Sequence, residues 1–225
     1  MPPPSEASTV LHTITDPNIG GAELMLARFI DNLGVAAIRS SVLSLMPAGS
    51  VGPLVEQSGA PVVSAGMTSQ PRIADMGTVL GASRNPRPDL VHGWMYHGNL
   101  AGTLAARLSL QPRPVIWSIH HTVSDLALEK PSSQKLIRLL RLLSRIPVAI
   151  SYCSYVAAQD HARLGFSTER ATVIPNGTDC AVFKPDPAAR ARLRLLLGIP
   201  TSQDRRPRRP LSSHEGSGLS GESHG

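Results

Sequence analysis

Residues 9–33 read TVLHTITDPNIGGAELMLARFIDNL, a strand pattern followed by a glycine pair and a helix pattern. Its first six residues, 9–14, are mostly apolar or β-branched, which predicts a buried strand. Apolar side chains then recur at helical spacing and predict a helix over residues 22–33. These side chains are Met25, Leu26, Phe29, Ile30 and Leu33. A strand that leads through a glycine turn into a helix is the first half of a βαβ unit.

Strands and helices alternate in this way throughout the first 175 residues. Strands are predicted at 9–14, 41–45, 61–64, 89–92, 114–119, 147–150 and 172–174. Helices are predicted at 22–33, 51–57, 72–82, 99–108, 132–145 and 155–164. Strict alternation indicates right-handed βαβ connections and a parallel sheet. We therefore predict an α/β fold, a Rossmann-like parallel sheet with helices on both faces.

Four segments are predicted along the chain. Residues 1–7 form a flexible leader, 8–175 a single domain, 176–200 an interdomain linker with a helix, and 201–225 a disordered tail. The tail is rich in Arg, Pro, Gly and Ser and has too few apolar residues to form a core. The start of the sequence lacks the basic and apolar regions of a signal peptide, and no apolar run approaches about 20 residues. We expect a cytoplasmic location.

Charge and cysteine content weigh against two classes of function. Residues 184–209 hold eight of the 22 basic and two of the 16 acidic residues, which leaves 14 of each elsewhere. Because the body is neutral, we predict no nucleic-acid partner. Cys153 and Cys180 are the only cysteines, and they form no metal-binding pattern with histidine. We expect free thiols, no metal and no cofactor.

Two local features each allow a structural and a functional interpretation. Gly20 and Gly21 precede a helix, so their N–H groups could face an anion such as a diphosphate, but a structural turn explains them equally well. From Ser132 to Arg145, basic and leucine residues form an amphipathic pattern. That pattern is typical of a helix on an anionic membrane, or of a helix that covers a sheet and has a solvated basic side.

Five motifs in a fixed order carry a resemblance to a known family. They are, in chain order, Gly20-Gly21-Ala22-Glu23, the segment 88–92, Ile119-His120-His121, the segment 156–166, and the segment 173–179, which reads VIPNGTD. In this order they resemble the N-terminal half of the retaining glycosyltransferases of family four, which have the GT-B fold. The resemblance covers about residues 8–200.

The resemblance implies roles for particular residues. Gly20 and Gly21 match the glycine loop beside the donor diphosphate and the acceptor, and Glu23 matches its acidic position. His120 or His121 matches a catalytic-site histidine that faces the acceptor or the transferred sugar, with His120 slightly favoured.

Further positions are assigned in the same way. Asn176, Gly177 and Asp179 match the interdomain hinge, although Asn-Gly is a common turn in any protein. His92 is a further candidate for the diphosphate and acceptor site, with His97 beside it, although a lone buried histidine is more often a core residue. His161 is interpreted as structural.

The implied activity is transfer of a sugar from a nucleotide-sugar donor to a sugar or lipid-linked acceptor with retention, without a metal, in polysaccharide biosynthesis. In the family the C-terminal domain holds most of the donor, through a basic loop residue and paired glutamates that cannot be placed here. We therefore expect a truncated form with weak donor binding and little activity alone. A peripheral contact with the inner face of the membrane through the segment from Ser132 to Arg145 stays open, beside the interpretation of this segment as an ordinary helix that covers the sheet. Two alternatives stay open, a non-enzymatic partner module of a split transferase and another GT-B enzyme such as a sugar epimerase.

Overall fold

The computed structural model describes residues 8–15, 20–33, 38–47, 49–68, 77–79, 81, 87–108 and 111–199. The chain divides into two compact units, Met1–Gly177 and Thr178–Gly225. The predicted leader, the predicted tail over 201–225 and most of the helix predicted at 72–82 lie outside the described residues.

The first unit is built on a sheet of seven parallel strands in the order β3-β2-β1-β4-β5-β6-β7. The strands are β1 Ser8–Ile14, β2 Ile38–Ser44, β3 Val62–Ser64, β4 Leu90–Trp94, β5 Val115–Ile119, β6 Ala149–Tyr152 and β7 Ala171–Val173. The strand order reverses between β1 and β4, as in doubly wound folds. The predicted Rossmann-like parallel sheet is confirmed, although β2 begins three residues before its predicted start at Ser41.

Helices cover this sheet on both faces. In the first unit they are α1 Gly21–Leu33, α2 Gly52–Gln57, α3 Met95–Arg107, α4 Pro131–Leu143 and α5 Tyr155–Arg163, and the second unit contains α6 Ala189–Leu197. One core cluster joins α1 and α2 to the sheet through residues such as Leu26, Ile30 and Val42. The other lies beneath α3, α4 and α5 and includes Trp117 and Leu140.

Helix α3 lies directly on the backbone of β1 and β4. A Cβ on Gly98 would collide with the carbonyl oxygen of Thr13, and a Cβ on Gly102 would lie 2.6 Å from Thr13 Oγ1. A Cβ on Gly93 would lie 2.5 Å from Asn99 Cα. Because these glycines allow close approach, the chain passes from β4 into α3 without a loop, and α3 begins four residues before its predicted start at Asn99. The start of α3 is thereby fixed beside the end of β1.

Across the described residues, no helix combines the length and apolarity needed to cross a membrane.

Candidate active site

The candidate site lies at the carboxyl edge of the sheet, where the strand order reverses. Gly20 follows β1, Met95 follows β4, His120 follows β5 and Asn176 follows β7. Because all strands are parallel, these positions share one edge of the sheet. In open α/β sheets the crevice outside the carboxyl ends at the reversal point is where ligands bind.

The glycine turn begins α1 and leaves open space beside it. Gly20 O accepts a hydrogen bond from Leu24 N at 3.1 Å, so the helix starts at this turn. A Cβ on Gly20 would collide with the Glu23 carboxylate, whereas a Cβ on Gly21 would meet no heavy atom of the described residues within 4 Å. Neither glycine has a positive φ. The protein backbone therefore does not require glycine at position 21, and the free space lies at a helix N-terminus, which favours an anion.

A cavity of about 320 Å³ extends along the α1 side of the sheet to the carboxyl edge. Its walls include His12, His92, Trp94, His120 and Asn176, together with apolar side chains of α1 and the strands. The structure thus brings together His92, His120 and Asn176 from the predicted set. Gly20, Gly21, Glu23 and His121 do not line this cavity.

His120 is held at the mouth of this cavity by three contacts. Its ring stacks on Trp94 with centroids 5.3 Å apart and planes 11° apart. Its Nδ1 lies 3.1 Å from Asn176 Oδ1, and its backbone N–H points to Met95 Sδ at 3.3 Å. Burial lowers the pKa of His120, and the Asn176 hydrogen bond opposes part of that shift. The imidazole is therefore neutral at neutral pH.

His121 lies in a different environment. Its Nε2 lies 2.8 Å from Glu129 Oε1, and its ring meets Tyr96 edge to face at 6.1 Å. A hydrogen bond with a neighbouring carboxylate accounts for this side chain without a ligand. The geometry therefore separates the two histidines that the sequence left open, and His120 is the one in the cavity.

His92 and His12 form the inner wall of the cavity. His92 Nε2 lies 2.7 Å from Ser118 Oγ, which in turn lies 2.6 Å from Ser151 Oγ. Burial, with a smaller effect of His120, lowers the pKa of His92 to about 3. His12 is completely buried, and its Nδ1 accepts a hydrogen bond from Trp94 Nε1 at 3.2 Å.

Sequence reasoning missed His12 and Trp94. His12 and His92 stand opposite each other in the β1–β4 register, so their rings lie 5.3 Å apart. The available signal was a histidine inside each of two predicted strands. That signal becomes useful only when the two strands are known to be neighbours.

His97, Gly177 and His161 do not line this cavity, and Asp179 belongs to the second unit. Asp179 Oδ1 accepts from Ala181 N at 2.8 Å within a turn of the second unit, and Gly177 is the last residue of the first unit. His97 is exposed on the first turn of α3. His161 is buried, with its Nε2 2.8 Å from the Tyr96 hydroxyl, and it is a core residue.

In the part of the chain that the structure describes, no group of three or more His, Cys, Asp and Glu is arranged to hold a metal ion.

Comparison with known proteins defines the family. The family model described as Glycosyltransferase Family 4 matches residues 19–182. No curated protein matches the sequence.

Solved structures show the same fold at low sequence identity. HepE of Anabaena in complex with UDP and glucose is 23% identical over 85% of this chain and 50% of its own, with a TM-score of 0.68. Sucrose-phosphate synthase from Thermosynechococcus elongatus is 14% identical over 86% of this chain and 53% of its own, with a TM-score of 0.60. UDP-N-acetylglucosamine 2-epimerase from Rickettsia bellii is 10% identical over 76% of this chain and 45% of its own, with a TM-score of 0.50. The chain therefore spans about half the length of these structures, and their fold is shared by enzymes of different activity.

Proposed function

Because this chain belongs to glycosyltransferase family 4, we propose that it forms the acceptor-side half of an enzyme that transfers a sugar from a nucleotide-sugar donor to an acceptor with retention. The observation that carries the proposal is the cavity at the reversal point of the sheet, with neutral His120 at its mouth. The family match favours a transferase over an epimerase, because the likeness to the epimerase extends only to the fold.

In the proposed chemistry, the glycine turn before α1 and His120 have separate roles at the carboxyl edge of the sheet. The open space at Gly21 and the N-terminus of α1 accommodate the donor diphosphate, whose developing charge the helix dipole and N–H groups stabilise. His120 orients the reacting sugar or acceptor as a neutral group, because its pKa is lowered. Catalysis then rests on positioning and on stabilisation of the leaving diphosphate.

A hybrid enzyme tests this proposal. The donor half of a structural neighbour such as HepE is joined after residue 199, and transfer of labelled glucose from UDP-glucose is measured, with NMR of the anomeric centre for retention. We expect His120→Ala to lose most of the turnover and His121→Ala, its matched control, to keep it. Equal loss in both variants, or transfer with inversion, contradicts the proposal.

Donor binding by this chain alone is proposed to be weak. HepE binds UDP-glucose as a protein about twice the length matched here, and we place the sites for base and ribose in the donor half, whether the same or a separate polypeptide supplies it. Calorimetry of this chain with UDP-glucose should show a Kd no tighter than about 1 mM, which corresponds to about 4 kcal/mol. Micromolar affinity would place the base and ribose sites in this half.

The acceptor side is proposed to work at an anionic membrane surface, with helix α4 as the contact. Ile137 and Leu140 are buried against the sheet, but Leu139 and Leu142 are 42% and 71% exposed on the outer side. Residues 130–145 contain no acidic side chain and five basic ones, Lys130, Lys135, Arg138, Arg141 and Arg145. Each such charge near an anionic surface contributes about 1 kcal/mol. A lipid-linked acceptor would be reached from this position.

Co-sedimentation with vesicles tests the membrane contact. The chain should bind vesicles that contain phosphatidylglycerol and not vesicles of phosphatidylcholine alone. Leu142→Asp should weaken binding, whereas Leu54→Asp, a change of a 47% exposed leucine on α2, should not. If both variants bind as the unmodified chain does, α4 is not the contact.

A further inference from the structure

The orientation of His120 is determined by residues outside the histidine motif. Trp94 stacks on one face of the ring at 5.3 Å, and Asn176 Oδ1 lies 3.1 Å from Nδ1. Trp94 is only 3% exposed, and its indole N–H donates to His12, which is completely buried. Trp94, the last residue of β4, therefore sets the plane of the His120 ring. Asn176, in the segment after β7, sets which ring nitrogen carries the proton.

The chemistry of the amide defines the tautomer. An amide oxygen can only accept a hydrogen bond, so His120 Nδ1 must carry the proton and donate it to Asn176 Oδ1. His120 Nε2 is then unprotonated, and among the described residues it has no hydrogen-bond partner. The nitrogen that remains for a ligand is therefore a hydrogen-bond acceptor.

We propose that Asn176 and Trp94 are positioning residues for His120, and that Asn176 selects the tautomer with Nδ1 protonated and Nε2 bare. This inference deepens the proposed function and depends on it for the role of His120. Asn176 is followed by Gly177, the last residue of the first unit. A change in the linker that moves Asn176 therefore removes the tautomer preference of His120, so the asparagine of the predicted hinge has a chemical role as well as a structural one.

A structural role alone would leave the tautomer unchanged, so the tautomer is the quantity to measure. The full chain is labelled with ¹⁵N-histidine, and two-bond ¹H–¹⁵N correlation spectra report which nitrogen of each ring is protonated. The His120 signal is assigned as the one absent in His120→Gln. Asn32→Ala is the matched control, because Asn32 is an exposed asparagine that donates to Arg28 O at 2.8 Å on α1.

We expect Nδ1 of His120 to be protonated in the unmodified chain and in Asn32→Ala. Asn176→Ala should reduce the preference for that tautomer roughly five-fold, the effect of one ordinary hydrogen bond. Asn176→Asp should restore it and raise the pKa of His120, because a carboxylate accepts the same proton more strongly. The ring protons of His120 should also resonate upfield because of the stacked indole of Trp94.

Two results overturn the proposal. They are a proton on Nε2 in the unmodified chain, or the same His120 tautomer ratio in Asn176→Ala as in the control. If the ring protons of His120 show no upfield shift, Trp94 is not a positioning residue. The spectra require no sugar transfer, so failure of the hybrid enzyme with a confirmed tautomer would refute the proposed function and leave this inference standing.

Discussion

Replacement of two helix glycines by alanine should have opposite effects on stability, because one Cβ enters free space and the other enters backbone. In Gly98→Ala the new methyl group collides with the carbonyl oxygen of Thr13 and lies 3.2 Å from Ile14 Cα. Helix α3 must therefore move away from β1, which also weakens the hydrogen bond of 2.8 Å from Thr13 Oγ1 to Gly98 O. In Gly21→Ala the methyl group meets no atom within 4 Å, and the backbone has no positive φ.

The magnitudes follow from these contacts. Overpacking costs about 1–3 kcal/mol and a lost hydrogen bond about 1 kcal/mol, so Gly98→Ala should lower the free energy of unfolding by about 2–4 kcal/mol. Gly21→Ala should leave it unchanged or raise it by up to about 1 kcal/mol, because alanine restricts the unfolded chain more than glycine does.

Urea denaturation followed by circular dichroism measures both changes, with Tm as a second readout that shifts by about 2–4 °C per kcal/mol at this size. In the hybrid enzyme, Gly21→Ala should nonetheless reduce transfer at least about tenfold, since about 1.4 kcal/mol of steric conflict with the diphosphate is sufficient. A loss of stability above about 1 kcal/mol in Gly21→Ala would refute the reasoning about the turn. Full activity of Gly21→Ala would show that the diphosphate does not bind beside Gly21.

Further expectations concern the buried and paired histidines. His161→Ala should destabilise the chain by about 3 kcal/mol, measured by urea denaturation, because it leaves a cavity and removes the partner of the Tyr96 hydroxyl; a cost below about 1 kcal/mol would contradict a core role. His121→Ala should cost no more than about 1 kcal/mol in the same assay, since its pair with Glu129 is 39% and 25% exposed. Acidification should destabilise the fold, because the pKa of His92 falls from 6.5 unfolded to about 3 folded and the unfolded chain therefore binds more protons between these values. The free energy of unfolding should be independent of His92 above pH ~6.5 and fall below it by up to about 1.4 kcal/mol per pH unit, and His92→Gln should show a shallower slope; identical slopes would exclude a buried neutral His92.

The fold class and most of its strands and helices can be predicted from the sequence alone. Alternation of apolar strands with helical periodicity is a local property, so the strands and most helices could be predicted within a few residues. The glycine turn ahead of α1 was also visible locally, because it lies where one predicted element ends and the next begins. The start of α3 could not be predicted locally, because it depends on the contacts of Gly98 and Gly102 with Thr13 of a distant strand.

The assembly of the candidate site depends on tertiary contacts that the sequence pattern does not show. The β1–β4 pairing places His12 opposite His92, and neither neighbour can be inferred without the strand order. The two adjacent histidines after β5 differ in the partners that they contact. His120 contacts Trp94 and Asn176, whereas His121 contacts Glu129. Local sequence pattern encodes periodicity and turns, whereas a site at a sheet edge is made of residues far apart in the chain, and their proximity is a consequence of topology and packing.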